Sequence, residues 1–304
     1  MKKILILLTL FILVGCSSAP KVNETPIRVG TLPAEAALPI IIAQEKGMFE
    51  AHGVKIEITP FGNPQERNAA AQAGEIDGMI ADVMTGYTFQ DKGMPYVITS
   101  DINEDFKILA SPNSGITTMS QLDGKEVALI PGLILEYVMD EIAQKDSFSY
   151  NVLAMPSFPG RFEGLLSDQF AGVVFTEPQA GMLVQNGAIL LGSSSQYGIK
   201  GGSLLFHDDV VTQRSDDLKR FYAAYNEAVA YLNDNPSSEY SDLLTKYQFP
   251  EQMGAYIDNK KEAFGTATAV SQDQLDKINT WSQAKGLIDK PADLEKAVNF
   301  EAIN

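Results

Sequence analysis

Two acidic residues, Asp82 and Glu177, end two apolar runs that share one layout, "AAAQAGEIDGMIADV" and "GLLSDQFAGVVFTEP". In each run a helix-like stretch precedes a glycine, and apolar residues then lead to the acid. A carboxylate at the end of a buried strand can contact a ligand. It can equally cap a helix or accept hydrogen bonds from backbone N–H groups. The sequence leaves both roles open for these two residues.

Residues suited to covalent or metal chemistry are sparse in this chain. Cys16 is the only cysteine, so no disulfide can form within the chain. His52 and His207 lie far apart in the sequence, and neither has a second metal ligand at the usual spacing. There is no Ser-His-Asp order with a suitable context and no glycine-rich phosphate loop. We therefore expect a binding protein with no catalytic residue, no metal and no cofactor.

The elements that must position the two acids alternate as strand and helix, which predicts an α/β fold with parallel strands and helices on both faces. After residue 215 the pattern becomes almost entirely helical. The repeated layout favours two similar α/β lobes, although one long sheet would also fit the alternation. The predicted strands are "IRVGTL" (27–32), "VKIEITPF" (54–61), "GMIADV" (78–83), "PYVITSD" (95–101), "EVALIP" (126–131), "NVLAMP" (151–156), "AGVVFTEP" (171–178) and "AILLGSS" (188–194).

The beginning of the chain predicts export and a lipid anchor. Two lysines precede the apolar run 4–14, which is about half the length needed to span a membrane. The residues Leu13 to Cys16 resemble a bacterial lipobox, in which the cysteine is lipidated after cleavage before it. We therefore expect a signal peptide at 1–15, lipidation of Cys16, a tether at 16–26 and a position on the outer face of the cell membrane.

The charge of the mature chain argues against a polyanionic partner. The full sequence has 23 basic and 39 acidic residues, and removal of 1–15 leaves 21 basic residues and a net charge of −18. Nucleic acids and anionic lipid surfaces attract basic proteins. We expect neither as a partner apart from the membrane contact made through the lipid on Cys16.

Several stretches resemble the extracytoplasmic solute-binding proteins of ABC importers, within the group that binds nitrate, aliphatic sulfonates, taurine and thiamine-precursor pyrimidines. The similarity covers residues 27–285 and is carried by "GMFEAHGVKIEITPF", "AAAQAGEIDGMIADV", "ITTMSQLDGKEVALIPG", "LEYVMDEI" and "FTEP". The resemblance implies a type II periplasmic-binding fold. Lobe 1 would comprise 27–108 and 207–304, lobe 2 would comprise 109–206, and the helical tail would pack on lobe 1. "FKILASP" (106–112) and "SLLFHDDV" (203–210) would cross between the lobes.

The candidate ligand contacts come from two sources. Ligands of open α/β sheets bind beyond the carboxyl ends of the strands. The resemblance implies contacts at 32–36, 82–84, 132–134 and Glu177, whereas Asn63 and Phe158 follow from the strand ends alone. We expect Arg161, which follows Gly160 near a helix start, to be solvated instead. The candidates are Leu32, Pro33, Ala34, Glu35, Ala36, Asn63, Asp82, Val83, Met84, Gly132, Leu133, Ile134, Phe158 and Glu177.

These loops are apolar with acids nearby, which disfavours an anionic ligand. We expect a small solute that is neutral or cationic, with an apolar or heterocyclic body. The predicted function is a monomeric, lipid-anchored protein that captures this solute between two lobes and delivers it to an ABC importer permease. The alternative is an enzyme on the same fold that acts on a vitamin or quinone precursor.

Overall fold

The computed structural model describes residues 23–260 and 263–303. The predicted signal peptide at 1–15, the lipidation site Cys16 and most of the predicted tether lie outside the described residues. The strands of the described chain are β1 (Ile27–Thr31), β2 (Ile56–Pro60), β3 (Gly78–Asp82), β4 (Tyr96–Asp101), β5 (Lys107–Ala110), β6 (Glu126–Leu129), β7 (Asn151–Ala154), β8 (Gly172–Phe175), β9 (Ile189–Ser193) and β10 (Gly202–His207).

Helices follow most strands, as the alternation predicts. They are α1 (Leu38–Glu45), α2 (Met48–Ala51), α3 (Pro64–Gln72), α4 (Val83–Asp91), α5 (Ile134–Asp146), α6 (Phe158–Leu166), α7 (Gln179–Gln185), α8 (Ser194–Tyr197), α9 (Asp208–Gln213), α10 (Ser215–Asp234), α11 (Ser241–Lys246), α12 (Gln252–Asn259), α13 (Gln272–Ala284) and α14 (Leu294–Ala297). Short 3₁₀ turns lie at Glu35–Ala37, Met119–Leu122, Ser237–Tyr240 and Glu301–Ile303.

Two five-stranded sheets of the same order form the centres of two lobes. The first lobe has the order β2-β1-β3-β10-β4 and the second has β7-β6-β8-β5-β9. The predicted parallel sheet is corrected in one respect, since β10 runs antiparallel to β3 and β4, and β5 runs antiparallel to β8 and β9. The two-lobed fold and the α/β class are confirmed.

The chain passes between the sheets within 102–106 and again within 194–201. The predicted crossing segments lie a few residues further on, where β5 and β10 are already sheet strands. We therefore propose 27–101 with 202–303 as lobe 1 and 107–193 as lobe 2. The two crossings are joined, because Ser194 N donates to Phe106 O at 2.8 Å and Ser195 N donates to Asp105 Oδ1 at 2.9 Å.

The two lobes share a helix–strand unit, α3–β3 in the first and α6–β8 in the second. Each helix begins at a side-chain cap: Asn63 Oδ1 accepts from Glu66 N at 2.9 Å, and Ser157 Oγ accepts from Gly160 N at 3.1 Å. Such caps satisfy N–H groups that the first turn leaves free. The strand of each unit begins at a glycine and occupies the middle of its sheet, so the repeated sequence layout corresponds to a repeated structure.

The helical tail packs mainly on the first lobe. In α10 the buried residues recur at helical spacing and include Leu218, Phe221, Tyr225 and Leu232, which lays one apolar face against α1. Helix α13 packs on α4 and also reaches the second lobe, where Trp281 Nε1 donates to Asp140 at 2.8 Å. Within 23–260 and 263–303, no helix is both long and apolar enough to cross a bilayer.

Candidate ligand-binding site

A cavity of about 70 Å³ lies between the carboxyl ends of the strands of the two lobes. Seven of the predicted contact residues line it, namely Leu32, Pro33, Ala34, Asp82, Leu133, Ile134 and Phe158. The rest of the wall is formed by Pro64, Arg67, Ile80, Ala81, Glu104, Phe106, Ile130, Leu135, Arg161, Val174, Phe175, Thr176 and Gln179. The two lobes therefore contribute to one cavity with mostly apolar walls.

The other predicted contacts do not line the cavity, for identifiable reasons. Val83 and Met84 are the first residues of α4 and are buried in the core, and Ala36 is buried near the start of α1. The Asn63 side chain caps α3. Gly132 has a φ of 72°, and its N–H donates to Glu136 Oε2 at 2.7 Å. These positions lie near the cavity without forming its surface.

Glu35 and Glu177 also do not line the cavity, and their carboxylates are bound by other groups of the protein. Glu35 is fully buried and accepts from Tyr256 Oη at 2.6 Å and from Lys260 Nζ at 3.1 Å. Glu177 Oε2 accepts from Gly181 N at 2.8 Å, and burial raises the pKa of Glu177. Of the roles left open for Glu177, the structure shows the backbone-binding one.

Asp82 combines a cap with a contact across the cleft. It is the N-cap of α4, and its Oδ1 accepts from Thr85 N at 2.7 Å. Its Oδ2 accepts from Ile134 N, at the start of α5 in the second lobe, at 3.4 Å. One carboxylate thus binds the N-termini of two helices that belong to different lobes, an arrangement that the helix dipoles favour.

Two further hydrogen bonds join the lobes beside the cavity. Glu35 N donates to Glu177 O at 3.1 Å, and Gln179 Nε2 donates to Pro33 O at 3.1 Å. Together with the Asp82–Ile134 contact, they connect the strand-end loops of the first lobe to the starts of α5 and α7 in the second lobe. The structure is therefore a closed arrangement of the two lobes.

Two ionisable residues, Arg67 of the first lobe and Glu104 of the first crossing, line the cavity. Arg67, which is 1 % exposed, donates through Nη1 to Ile80 O at 2.6 Å and through Nη2 to Asn68 Oδ1 at 2.8 Å. Burial lowers the pKa of Arg67 to about 10, so it remains charged at neutral pH. Burial, with the charges of Glu35 and Asp82, raises the pKa of Glu104 to about 8. At neutral pH the Glu104 carboxyl is therefore mostly protonated.

Arg161 occupies the matching position in the second lobe, and the expectation that it is solvated is wrong. It is 0 % exposed and lines the cavity, and burial lowers its pKa to about 10. Its guanidinium carbon lies 4.9 Å from the ring centroid of Phe158 and 4.7 Å from that of Phe175. The two aromatic faces offset part of the cost of burying the charge.

Sequence reasoning missed both arginines, although a signal was present. Arg67 precedes Gly78 by 11 residues, and Arg161 precedes Gly172 by the same number. Extending the repeat by a few residues toward the N-terminus would have paired the two positions. Glu104 gave no comparable signal, because it stands in an acidic stretch that resembles a surface loop.

Metal-binding and nucleophilic groups are sparse in the described part of the chain. Among residues 23–260 and 263–303, no cluster of three or more His, Cys, Asp or Glu could hold a metal ion. His52 instead pairs with Glu227 at 2.7 Å, and His207 caps α9. None of the described residues that line the cavity is a histidine, lysine or cysteine. The site can bind and enclose a molecule by shape, hydrogen bonds and charge.

A family model described as "NMT1/THI5 like" matches residues 35–239 of the chain. A 4-amino-5-hydroxymethyl-2-methylpyrimidine phosphate synthase of Schizosaccharomyces pombe is 21% identical over 286 residues, which covers 85% of this chain and 80% of that protein. A putative aliphatic sulfonates-binding protein of Bacillus subtilis is 33% identical over 150 residues, 43% of each chain.

Solved structures share the fold at low sequence identity. The alkanesulfonate-binding protein SsuA from Xanthomonas axonopodis pv. citri, bound to MOPS, superimposes with a TM-score of 0.78. The identity is 18%, and the match covers 90% of this chain and 98% of that one. Both chains therefore have the same two-lobed architecture over nearly their whole lengths.

Proposed function

Because this chain belongs to the NMT1/THI5-like family, we propose that it is a solute-binding protein that delivers a small organic molecule to the permease of an ABC importer. The observation that carries this proposal is the cavity between the lobes, to which strand-end residues of both lobes contribute. A protein that transports its ligand must surround it and later release it. Two lobes joined by two short crossings suit that cycle, since rotation about the crossings opens or closes the cavity.

The walls favour a solute with an apolar or heterocyclic body. Leu32, Leu133, Phe158 and Phe175 provide apolar surface on both sides of the cavity. Burial of such a body against these side chains would supply most of the binding free energy. The sequence-based expectation of a neutral or cationic solute omitted Arg67 and Arg161. Both guanidinium groups are buried in the wall. The solute that we propose therefore has an apolar body, and its charge need not be neutral or positive.

Retention of a solute tests the proposal directly. The purified full chain is incubated with a small-molecule filtrate of yeast extract, washed, and denatured, and the released compounds are identified by mass spectrometry. We expect one compound to be released unchanged and in stoichiometric amount. Release of nothing in stoichiometric amount would contradict the proposal.

An enzyme on the same fold is the second candidate, since the S. pombe relative is named as a synthase. The same experiment separates the two functions. An enzyme would release a compound chemically different from the one in the filtrate, in an amount that grows with incubation time. A binding protein would release the compound it captured, in an amount that saturates at one per chain.

We further propose that the protein acts as a monomer anchored to the outer face of the cell membrane through Cys16. Support comes from the short apolar run and the residues before the cysteine. Replacement of Cys16 by alanine removes the acyl chains that would hold the protein in the bilayer. We expect Cys16→Ala to move the protein from the membrane fraction to the soluble extracytoplasmic fraction. Equal membrane association of both proteins would contradict the anchor.

A further inference from the structure

Arg161 has hydrogen-bonding capacity that the described protein does not use. Its Nη1 donates to Met155 O at 2.7 Å and to Pro156 O at 3.3 Å. Its Nε and Nη2 are buried and have no acceptor among the described residues. A buried donor without a partner loses its water and gains nothing in return, so it destabilises a fold unless something else compensates.

Two other arginines, Arg28 and Arg67, show what this edge of the guanidinium binds. Nε and Nη2 form one edge of the planar group. In Arg28 that edge donates to both carboxylate oxygens of Asp77, at 2.9 and 2.6 Å. In Arg67, at the position matching Arg161, it donates to Asn68 Oδ1 at 3.1 and 2.8 Å. The residue after Arg161 is Phe162, which offers no acceptor.

The charge on Arg161 is also uncompensated within the described protein. Arg67 interacts with the charge of Asp82, whereas burial alone shifts the pKa of Arg161. Its nearest groups in the cavity wall are the rings of Phe158 and Phe175. The second-lobe side of the cavity thus holds one positive charge that lacks a negative partner.

We propose that the free edge of Arg161 receives a carboxylate of the bound solute, and that the solute is a small organic acid with a flat apolar body. This inference rests on the proposed solute-binding function and names the class of its ligand. The two oxygens of a carboxylate match the two free N–H groups, as Asp77 does for Arg28. Phe158 and Phe175 then flank the body of the acid. Acids near the cleft were expected to repel an anion, but the second-lobe side of the cavity carries the positive charge of Arg161 and would attract one.

The test measures retention and stability together, in the full chain, with three variants. Arg161→Met removes the charge and the donors while keeping a side chain of similar length. Arg161→Lys keeps the charge and loses the planar edge. Lys219→Gln removes one positive charge from an exposed position on α10 and serves as the control. Each protein is incubated with the filtrate of yeast extract, separated beforehand into acidic and non-acidic fractions by ion exchange.

We expect the wild type and Lys219→Gln to retain a carboxylic acid from the acidic fraction. Arg161→Met should bind that acid about 10- to 100-fold more weakly, the usual effect of losing a charge-assisted hydrogen-bond pair. Arg161→Lys should lie between them. Without solute, Arg161→Met should melt no lower than the wild type, because the substitution removes a buried charge. The carbonyls of Met155 and Pro156, which lose their donor, lie next to exposed residues, so water can reach them.

Several results would overturn the inference. One is equal affinity of the wild type and Arg161→Met for the retained acid. Another is retention by the wild type of an amine or a neutral compound alone. A lower melting temperature of Arg161→Met, with Arg161→Lys binding as tightly as the wild type, would make Arg161 a structural residue. If the wild type retains no compound from either fraction, the proposed function itself fails and this inference fails with it.

Discussion

The half-buried side chain of Glu104 leads to a quantitative prediction about stability and pH. Its pKa is raised from 4.5 to about 8 by burial and by the charges of Glu35 and Asp82, with Arg67 opposing the rise. The folded protein therefore holds a proton that the unfolded chain releases above about pH 4.5. Linkage then requires that the free energy of unfolding decreases as the pH rises from about 4.5 through about 8.

The size of the effect follows from the two pKa values. A change from 4.5 to about 8 corresponds to about 5 kcal/mol once the group is fully ionised in both states. Between pH 5 and pH 8 the wild type should lose about 3 to 4 kcal/mol through this group alone. Glu104→Gln keeps the shape of the protonated side chain and does not titrate. It should therefore match the wild type at pH 5 and exceed its stability at pH 8.

Urea unfolding followed by far-UV circular dichroism at pH 5 and pH 8 measures the effect. Titrating groups that do not interact with Glu104 contribute equally to both proteins and cancel in the comparison. Glu50→Gln, at an exposed position on α2, is the control and should leave the difference between the two pH values unchanged. The reasoning is refuted if the wild type and Glu104→Gln lose the same stability between pH 5 and pH 8.

Two substitutions test other parts of the account. Asp82→Ala removes the cap of α4 and a charge that balances Arg67. We expect it to lower the free energy of unfolding, measured with urea, by about 2 to 3 kcal/mol. Asp82→Asn should recover about 1 kcal/mol of this loss. A loss below 1 kcal/mol would contradict the assigned role. Gly78→Ala would place a Cβ 2.4 Å from the ring of Phe206 and should cost about 2 to 3 kcal/mol. Gly74→Ala, at φ +68° with open space around it, should cost only about 1 kcal/mol. Equal losses for the two glycines would refute the packing argument.

The sequence predicted most of the elements because each has a local signal. Buried strands such as β3 read as short apolar runs before a helix cap, and α10 repeats its apolar residues at helical spacing. The directions of β5 and β10 had no such signal. Each is a short apolar run like its neighbours, and its antiparallel pairing depends on contacts with strands distant in the sequence.

The sequence predicted where the backbone loops of the candidate site lie, but it predicted only some of the side chains that line the cavity. The rule that ligands bind beyond strand ends located the loops that carry Leu32, Asp82 and Leu133. It could not identify Arg67 and Arg161, because they stand on helices between the strands and arginine is seldom buried. The charge of the cavity depends on these side chains, so the sequence-based expectation about the ligand lacked its main determinant.

Closure of the two lobes on a solute is the central claim, and small-angle X-ray scattering tests it most directly. The radius of gyration of the full chain is measured after extensive dialysis and again with the retained compound in excess. We predict a smaller radius with the compound at unchanged molecular mass, because the lobes approach each other about the crossings at 102–106 and 194–201. An unchanged radius in the presence of a compound shown to bind would contradict the account.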